Sequence, residues 1–196
     1  MITQFNGFEE AKKAAQRKGT PKLPAGPYVC KILNTKNEAE KGFLKVQFDV
    51  AEGEYKDFFT KAYKESTDEN KKFKGVLTLW LPKDDGSEKD KWTKDKFASF
   101  TNALEESNNG YKWDWHEEAW KGKTIGLMFG EVGKNINGKD VTFTEYRYPI
   151  SVAFAKSGKA KTPDFYAYKG YGEAAKNDGA TDFMNVPDGI QEELPF

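Results

Sequence analysis

The chain has 196 residues, and its 31 Lys and Arg side chains balance 31 Asp and Glu side chains to give a formal net charge of zero. This length and an apolar fraction of 37% allow one main domain with appendages. The balance argues at first against a uniformly basic nucleic-acid binder, because affinity for phosphate comes mainly from clustered Lys and Arg. A single cysteine, Cys30, excludes an internal disulfide framework and a multi-cysteine zinc site, and a single histidine, His116, leaves little histidine-based catalysis.

Membrane insertion and secretion are not expected. Apolar runs such as 76–81 and 150–155 are far shorter than the roughly 20 residues that cross a bilayer. Residues 1–19 lack the apolar core of a secretory signal. We therefore expect a cytoplasmic protein.

The N-terminal residues 1–22 are predicted to form a basic helical arm. Asn6 and Glu9 have the spacing of an N-cap with an acid three residues later, so a helix is expected over 8–18. Two prolines and a glycine in 22–27 cannot continue a helix and lead into the main domain.

Alternation of apolar and polar residues predicts two half-buried strands, 28–34 and 43–50. The aromatic run 55–63 follows a turn and is predicted to be the third strand of an antiparallel meander. The apolar run 76–81 is a further strand candidate. Cys30 alternates with apolar neighbours in the first strand, so we expect a buried structural thiol.

The second half predicts a helix and two strands. Thr93 can cap an amphipathic helix whose apolar residues recur at helical spacing, at Phe97, Phe100 and Leu104. After a tryptophan-rich loop, strands are expected over 123–132 and 141–148.

Three strands, a helix and two further strands is the order of an OB-fold, a small barrel whose strands 2 and 3 and connecting loops bind single strands. We predict a mainly β, five-stranded OB-fold barrel over 23–156, with the helix inserted between strands 3 and 4. After residue 155 the composition becomes rich in Gly, Ala, Lys and Asp, which predicts a flexible tail over 157–196.

Aromatic and basic side chains alternate on the strand faces predicted to be exposed. Bases stack on aromatic rings for about 1–3 kcal/mol each, while Lys and Arg follow the phosphates, and neither contact requires sequence readout. For any single ring, a place in the barrel core is an equally good interpretation. The candidate nucleic-acid-binding residues are Lys31, Phe43, Lys45, Phe59, Lys61, Tyr63, Tyr146, Arg147 and Tyr148.

The last 20 residues, 177–196, carry five acidic side chains and no Lys or Arg, which leaves a net charge of +5 on residues 1–176. An acidic peptide that finishes in apolar residues and a carboxylate suits a basic pocket with an apolar floor, although an ordinary solvated tail has the same composition. The candidate partner-binding residues are Asp188, Glu192, Glu193, Leu194, Pro195 and Phe196.

The segment 192–196, Glu-Glu-Leu-Pro-Phe, resembles the acidic Ile-Pro-Phe tip of bacterial single-stranded DNA-binding proteins, with Leu in place of Ile. Segments 41–48, 110–115 and 122–131 resemble phage and prophage single-stranded DNA-binding proteins of Gram-positive bacteria. This resemblance, over residues 23–196, implies an OB-fold acting in replication or recombination in a bacterial host or lysogen. It also implies docking of a helicase, primase, polymerase or recombinase to the tip.

Catalytic signatures are weak. Residues 122–124, Gly-Lys-Thr, suggest the end of a P-loop, but Glu117 stands where its first glycine is required. Asp49, Glu54 and Lys56 approximate the metal-binding set of a nuclease, although surface charges at a hairpin tip are the simpler interpretation. The leading prediction is thus a non-catalytic binder without metal or cofactor, and a metal-dependent nuclease or nuclease accessory factor is the alternative.

A third interpretation is a carbohydrate-binding module that stacks sugars on Trp113, Trp115 and Trp120. The acidic tail and the expected cytoplasmic location speak against it. His116 lies among these tryptophans and is expected to be a packed or surface ring rather than a general base. Because OB-fold binders commonly act with several barrels, a homodimer or higher oligomer is expected.

Overall fold

The computed structural model describes residues 6–7 and 22–172. The helix expected over 8–18 and the acidic tip at 188–196 lie outside the described residues. Within the described part of the chain, no helix has both the length and the apolar composition required to cross a bilayer.

Six strands form one sheet. They are β1 (Gly26–Glu38), β2 (Phe43–Val50), β3 (Val76–Trp80), β4 (Thr124–Ile136), β5 (Lys139–Ile150) and β6 (Tyr166–Ala167). The order β3-β2-β1-β4-β5 is antiparallel throughout, and β6 adds to β4 in parallel. The mainly β prediction is therefore confirmed, but the part of the chain that the structure describes has six strands rather than five. Among the described residues the hydrogen-bonded ladders form an open path, without a pairing of β3 to β5.

Within residues 22–172 the strands are joined by three α-helices and two short 3₁₀ turns: α1 (Phe58–Glu65), α2 (Glu88–Ser107), α3 (Val152–Lys156), Ala39–Lys41 and Glu117–Trp120. The predicted helix between the third and fourth strands is confirmed as α2, although it begins earlier than expected. Ser87 caps it, since its Oγ accepts the Asp90 N–H at 3.1 Å. Thr93 lies inside the helix, where its hydroxyl donates to the Lys89 carbonyl.

The prediction of a third strand over 55–63 is wrong, because this run forms a turn followed by α1. Its large apolar residues have helical as well as alternating spacing, and they cover one end of the core. The buried Asp49 fixes the start of the helix, since its two carboxylate oxygens accept the Phe59 and Thr60 N–H groups at 2.9 and 2.8 Å. The run 76–80 instead supplies the third strand and pairs with β2.

The core lies between the inner face of the sheet and α2. Leu44, Val46 and Phe48 alternate into it from β2, as their spacing predicts. From the other side, Phe100 and Leu104 of α2 are fully buried. Cys30 is also fully buried, as expected, and burial raises the pKa of its thiol well above the ordinary value. This core fixes which side chains the outward face of the sheet presents.

Residues 157–172 belong to the predicted flexible tail, but the chain returns to the sheet there. We call residues 163–171 the strap. Tyr166 and Ala167 within it pair with Val132 and Gly133 of β4, and the Tyr168 N–H donates to the Gly133 carbonyl at 2.9 Å. Strand pairing therefore extends beyond the predicted domain boundary at residue 156.

Candidate nucleic-acid interface

The outward face of β1, β2 and β3 gathers basic and aromatic side chains in cross-strand rows. Directly paired residues of neighbouring strands point to the same side of a sheet. Leu44 and Val46 of β2 point into the core, so the β2 residues that alternate with them point outward. The residues of β1 and β3 that pair with these outward residues point the same way. The rows are Asn34, Gln47 and Val76, then Lys36, Lys45 and Thr78, then Glu38, Phe43 and Trp80.

A groove of about 560 Å³ lies on this face, bounded by the loop before β3. Among the described residues that line it there are four lysines and no carboxylate. The lysine groove, as we call it, is lined by Asn34, Thr35, Lys36, Lys45, Gln47, Lys72, Phe73, Lys74 and Val76. Clustered ammonium groups around a concave surface favour a polyanion.

Aromatic rings flank the groove at the end where β1 and β2 are connected. Trp80 is 53% exposed, and its ring meets Phe43 edge to face with centroids 5.4 Å apart. Lys45 Nζ lies 5.7 Å from the centre of the Phe43 ring. The structure thus brings together the predicted residues Phe43 and Lys45, and it adds Trp80, which was not among the predicted residues. The alternation of Trp80 with buried Leu77 and Leu79 was the available signal.

Glu38 introduces a negative charge beside these rings. Its carboxylate contacts Lys36 Nζ at 2.6 Å and Lys41 Nζ at 2.7 Å. These two hydrogen bonds lower the pKa of Glu38 to about 2, so the group is ionised at neutral pH. A phosphate that approaches Lys36 must therefore compete with Glu38.

Tyr63 of α1 extends the aromatic surface at the opposite end of the groove. Its ring meets Phe73, a groove residue, edge to face at 6.1 Å, and Lys71 Nζ lies 5.1 Å from its centre. Two other candidates on this segment lie elsewhere. Phe59 packs against the core, 5.3 Å from Phe48, and Lys61 donates to the Lys56 carbonyl rather than lining the groove.

The remaining candidates are not part of the lysine groove. Lys31 is exposed on β1 but does not line the groove. In the strand register it lies opposite Asp49 of β2 and Thr124 of β4. Tyr146 packs against the core, and burial raises the pKa of its hydroxyl.

The other two β5 candidates lie on a different part of the sheet surface. Arg147 lies under the ring of Tyr166 in the strap, at 5.2 Å. Tyr148 is exposed on the same strand. Of the nine candidates, Phe43, Lys45 and Tyr63 therefore lie in or beside the groove, Phe59 and Tyr146 pack against the core, and Arg147 and Tyr148 lie on β5. Lys31 and Lys61 belong to none of these groups.

The geometry gives Asp49 a structural role instead of the metal-binding role that the nuclease alternative requires. Both of its oxygens already accept backbone N–H groups, and the residue is only 3% exposed. Glu54 and Lys56 are exposed on the following loop. Nowhere in the described ranges do three or more His, Cys, Asp or Glu side chains gather in a way that could hold a metal ion.

The tryptophan-rich loop does not form a three-ring platform. Trp120 is fully buried, and Trp113 packs against it at 4.9 Å. Trp115 alone of the three is exposed, at 78%, and it lies nearly parallel to Phe97. His116 is exposed beside it, with Nδ1 2.9 Å from the Asp114 carbonyl. A stack of successive sugars on these three rings is therefore not supported.

The groove and its flanking rings combine positive charge with exposed aromatic surface. Comparison with protein-family models and with curated proteins found no match to this chain.

Proposed function

We propose that the protein binds single-stranded DNA, without strong sequence preference, along the lysine groove. The single observation that carries this proposal is the placement of four groove lysines beside exposed aromatic rings on one outward sheet face. In this arrangement lysines contact phosphates, while bases stack on Trp80 and Phe43 at one end and on Tyr63 at the other. Since every base has a flat face, such contacts tolerate any sequence.

The strand order supports an OB-fold as the framework of this activity. A three-stranded meander, a helix and then β4 returning to β1 is the order expected of that fold. In OB-folds the face of strands 2 and 3 binds oligonucleotides, and the lysine groove occupies the corresponding face of β2 and β3. The position of the groove therefore agrees with its chemistry.

The wider role is part of the same proposal. The protein acts without catalysis in phage DNA replication or recombination in the bacterial cytoplasm, as a homodimer or higher oligomer. Its acidic residues 188–196 recruit partner proteins of the helicase, primase, polymerase or recombinase type. The lysines protect single strands while the tip carries recruitment, so the two activities separate along the chain.

Titration of a labelled oligothymidine, followed by fluorescence anisotropy at several salt concentrations, tests the proposal. We expect binding that weakens as salt rises, since each displaced counterion contributes to the slope. Trp80→Ala should weaken binding about tenfold, within the range of one lost stacking contact. Trp92→Ala is the matched control, because Trp92 is similarly exposed, at 56%, but lies on α2 outside the groove lining.

Lysine substitutions test the phosphate contacts separately. Lys45→Gln with Lys74→Gln should reduce the slope of log affinity against log salt by about 1.4, at about 0.7 for each lost contact to a single strand. Lys91→Gln with Lys96→Gln, on α2, should leave the slope unchanged. Absence of binding at low salt, or equal effects of the groove and control variants, would overturn the proposal.

A further inference from the structure

The strap presents a second cluster of exposed rings on the sheet. Phe165, Tyr166 and Tyr168 are 47%, 48% and 41% exposed, and they fall within four successive positions. Large exposed rings at this density are unusual on a monomer surface and mark a contact site. Tyr166 and Tyr168 meet edge to face at 5.0 Å, so they form one continuous aromatic surface.

The strap is held against the sheet by its backbone, which fixes where these rings lie. Beyond the β6 pairing, two glycines of β4 leave room for it to lie close. A Cβ at Gly130 would lie 3.2 Å from Pro163, and one at Gly133 would lie 2.7 Å from the Phe165 ring. A preorganised ring loses little conformational entropy when a ligand stacks on it.

Cations from β4 and β5 accompany the exposed rings. Arg147 lies 5.2 Å from the centre of the Tyr166 ring, and Lys134 Nζ lies 4.6 Å from that of Tyr168. Glu145 contacts both partners of the second pair, since it binds Lys134 at 2.8 Å and accepts a hydrogen bond from the Tyr168 hydroxyl at 3.4 Å. Asp140 lies at the end of the strap, where it accepts the Gly172 N–H at 2.9 Å. The strap and its flanks add three lysines and one aspartate: Lys159, Lys161, Lys169 and Asp164.

The charge decides between possible occupants of this surface. An apolar protein partner would gain nothing from cations placed against the rings, whereas a polyanion with flat groups would use both. We propose that the strap surface, formed by Tyr166, Tyr168, Lys134 and Arg147, is a second contact for single-stranded nucleic acid. This inference rests on the proposed function and extends it, because it assigns one strand two separate contacts on the same protein.

The two contacts predict a dependence on strand length. The lysine groove lies on β1 to β3, and the strap lies against β4 beyond the start of β1. On this proposal an oligonucleotide that fills only the groove does not contact the strap, whereas a longer strand occupies both. A longer strand offers more positions at which the protein can bind, and this alone raises the affinity. Because the second contact adds to this effect, affinity should increase with strand length by more than the number of positions explains.

The test combines strand length with ring removal. An oligothymidine of about 8 nucleotides lies within the span of one OB-fold, about 4–16 nucleotides, and one of about 30 nucleotides exceeds it. We expect Tyr166→Ala with Tyr168→Ala to weaken binding of the long strand about tenfold and to leave the short strand unchanged. Phe154→Ala is the matched control, since Phe154 is 44% exposed on α3 and lies outside the strap.

A second variant separates stacking from structural damage. Tyr166→Phe with Tyr168→Phe keeps both rings and should bind the long strand like the unchanged protein. Equal affinity of the alanine variant for the long strand, or equal losses for both lengths, would overturn the inference. If Trp80→Ala leaves all binding unchanged while the strap variant loses affinity, the groove assignment fails and the strap assignment stands.

Discussion

At the scale of single residues, Asp49 connects the sheet to α1. Asp57, at the N-cap position of that helix, has a left-handed backbone and makes no side-chain cap. Asp49 of β2 caps the helix instead, because its two carboxylate oxygens accept hydrogen bonds from the Phe59 and Thr60 N–H groups. A side chain remote in sequence thus satisfies the helix N-terminus.

Replacement of Asp49 should therefore reduce stability. We expect Asp49→Ala to lower the free energy of unfolding by about 1–3 kcal/mol, because buried N–H groups lose their acceptor. Asp49→Asn, which keeps one acceptor oxygen, should cost less. Urea denaturation followed by circular dichroism measures both changes. The exposed Glu54→Ala should stay within about 0.5 kcal/mol, and a comparable loss there would contradict the capping role.

A second residue-scale prediction concerns Glu38. Its carboxylate holds Lys36 and Lys41 beside the exposed rings of the groove face. Glu38→Gln should tighten oligothymidine binding several-fold at low salt, because it removes a negative charge that competes with phosphate for Lys36. The gain should shrink as salt rises. Weaker binding by this variant would show that Glu38 positions the lysines rather than competing for them.

The same residue makes stability dependent on pH in a defined window. The pKa of Glu38 is lowered to about 2 in the folded protein, against about 4.3 in an unfolded chain. A depressed carboxylate pKa contributes stability above the unfolded value, and this contribution is lost as pH falls through the folded value. The stability difference between unchanged protein and Glu38→Gln should thus be constant above about pH 5 and decline toward about pH 2. Denaturation curves across this range measure it, and a difference that grows on acidification would contradict the assignment.

At the scale of elements, the start of β3 depends on the close approach of Gly75 to β2. The Phe48 N–H donates to the Gly75 carbonyl at 2.8 Å, and a Cβ on Gly75 would lie 2.2 Å from the Phe48 carbonyl oxygen. The obstacle is backbone, so it cannot rotate away. Residue 75 therefore sets where the third strand joins the sheet.

We expect Gly75→Ala to cost about 1–3 kcal/mol or more, as overpacking in a filled site does. Since β3 carries Trp80, oligothymidine affinity should fall as well. Thr67→Ala, in the exposed loop before β3, is the control and should change stability by less than about 0.5 kcal/mol. Thermal unfolding and anisotropy titration report the two effects, and an unchanged melting temperature would exclude the close approach.

The elements also show where sequence patterns succeed. Strict alternation in 43–50 predicted β2, because one face meets the core and the other meets water. The run 55–63 was wrongly predicted to be a strand, since aromatic residues suit both a strand and the apolar face of a helix. The contact that fixes the start of the helix comes from Asp49, which is remote in sequence. Phe43 and Lys45 could be predicted as site residues from alternation alone. Lys72 and Lys74 could not, because their position depends on how a loop folds back onto β1 and β2.

At the scale of the whole molecule, the zero net charge conceals an uneven distribution. Residues 1–176 carry +5, and residues 177–196 carry −5. The basic side chains of the groove and strap lie in the first part. A mildly positive body suits moderate, salt-sensitive affinity for single strands rather than very tight binding.

Deletion of residues 177–196 should leave oligothymidine affinity equal or tighter, because a segment that repels the strand is removed. Partner recruitment should be lost in the same variant. Anisotropy titration of full-length and shortened chains side by side measures the first effect, with the difference expected to shrink at high salt. A marked loss of DNA affinity on deletion would contradict this division between body and tail.

The placement of the five tryptophans makes the protein its own optical reporter. Trp113 and Trp120 contact each other in the interior, whereas Trp80, Trp92 and Trp115 are exposed. Of these exposed indoles, Trp80 stands on the groove face. A ligand that covers Trp80 should therefore quench a minor, red-shifted part of the tryptophan emission. The blue-shifted emission of the interior pair should report unfolding in the same sample.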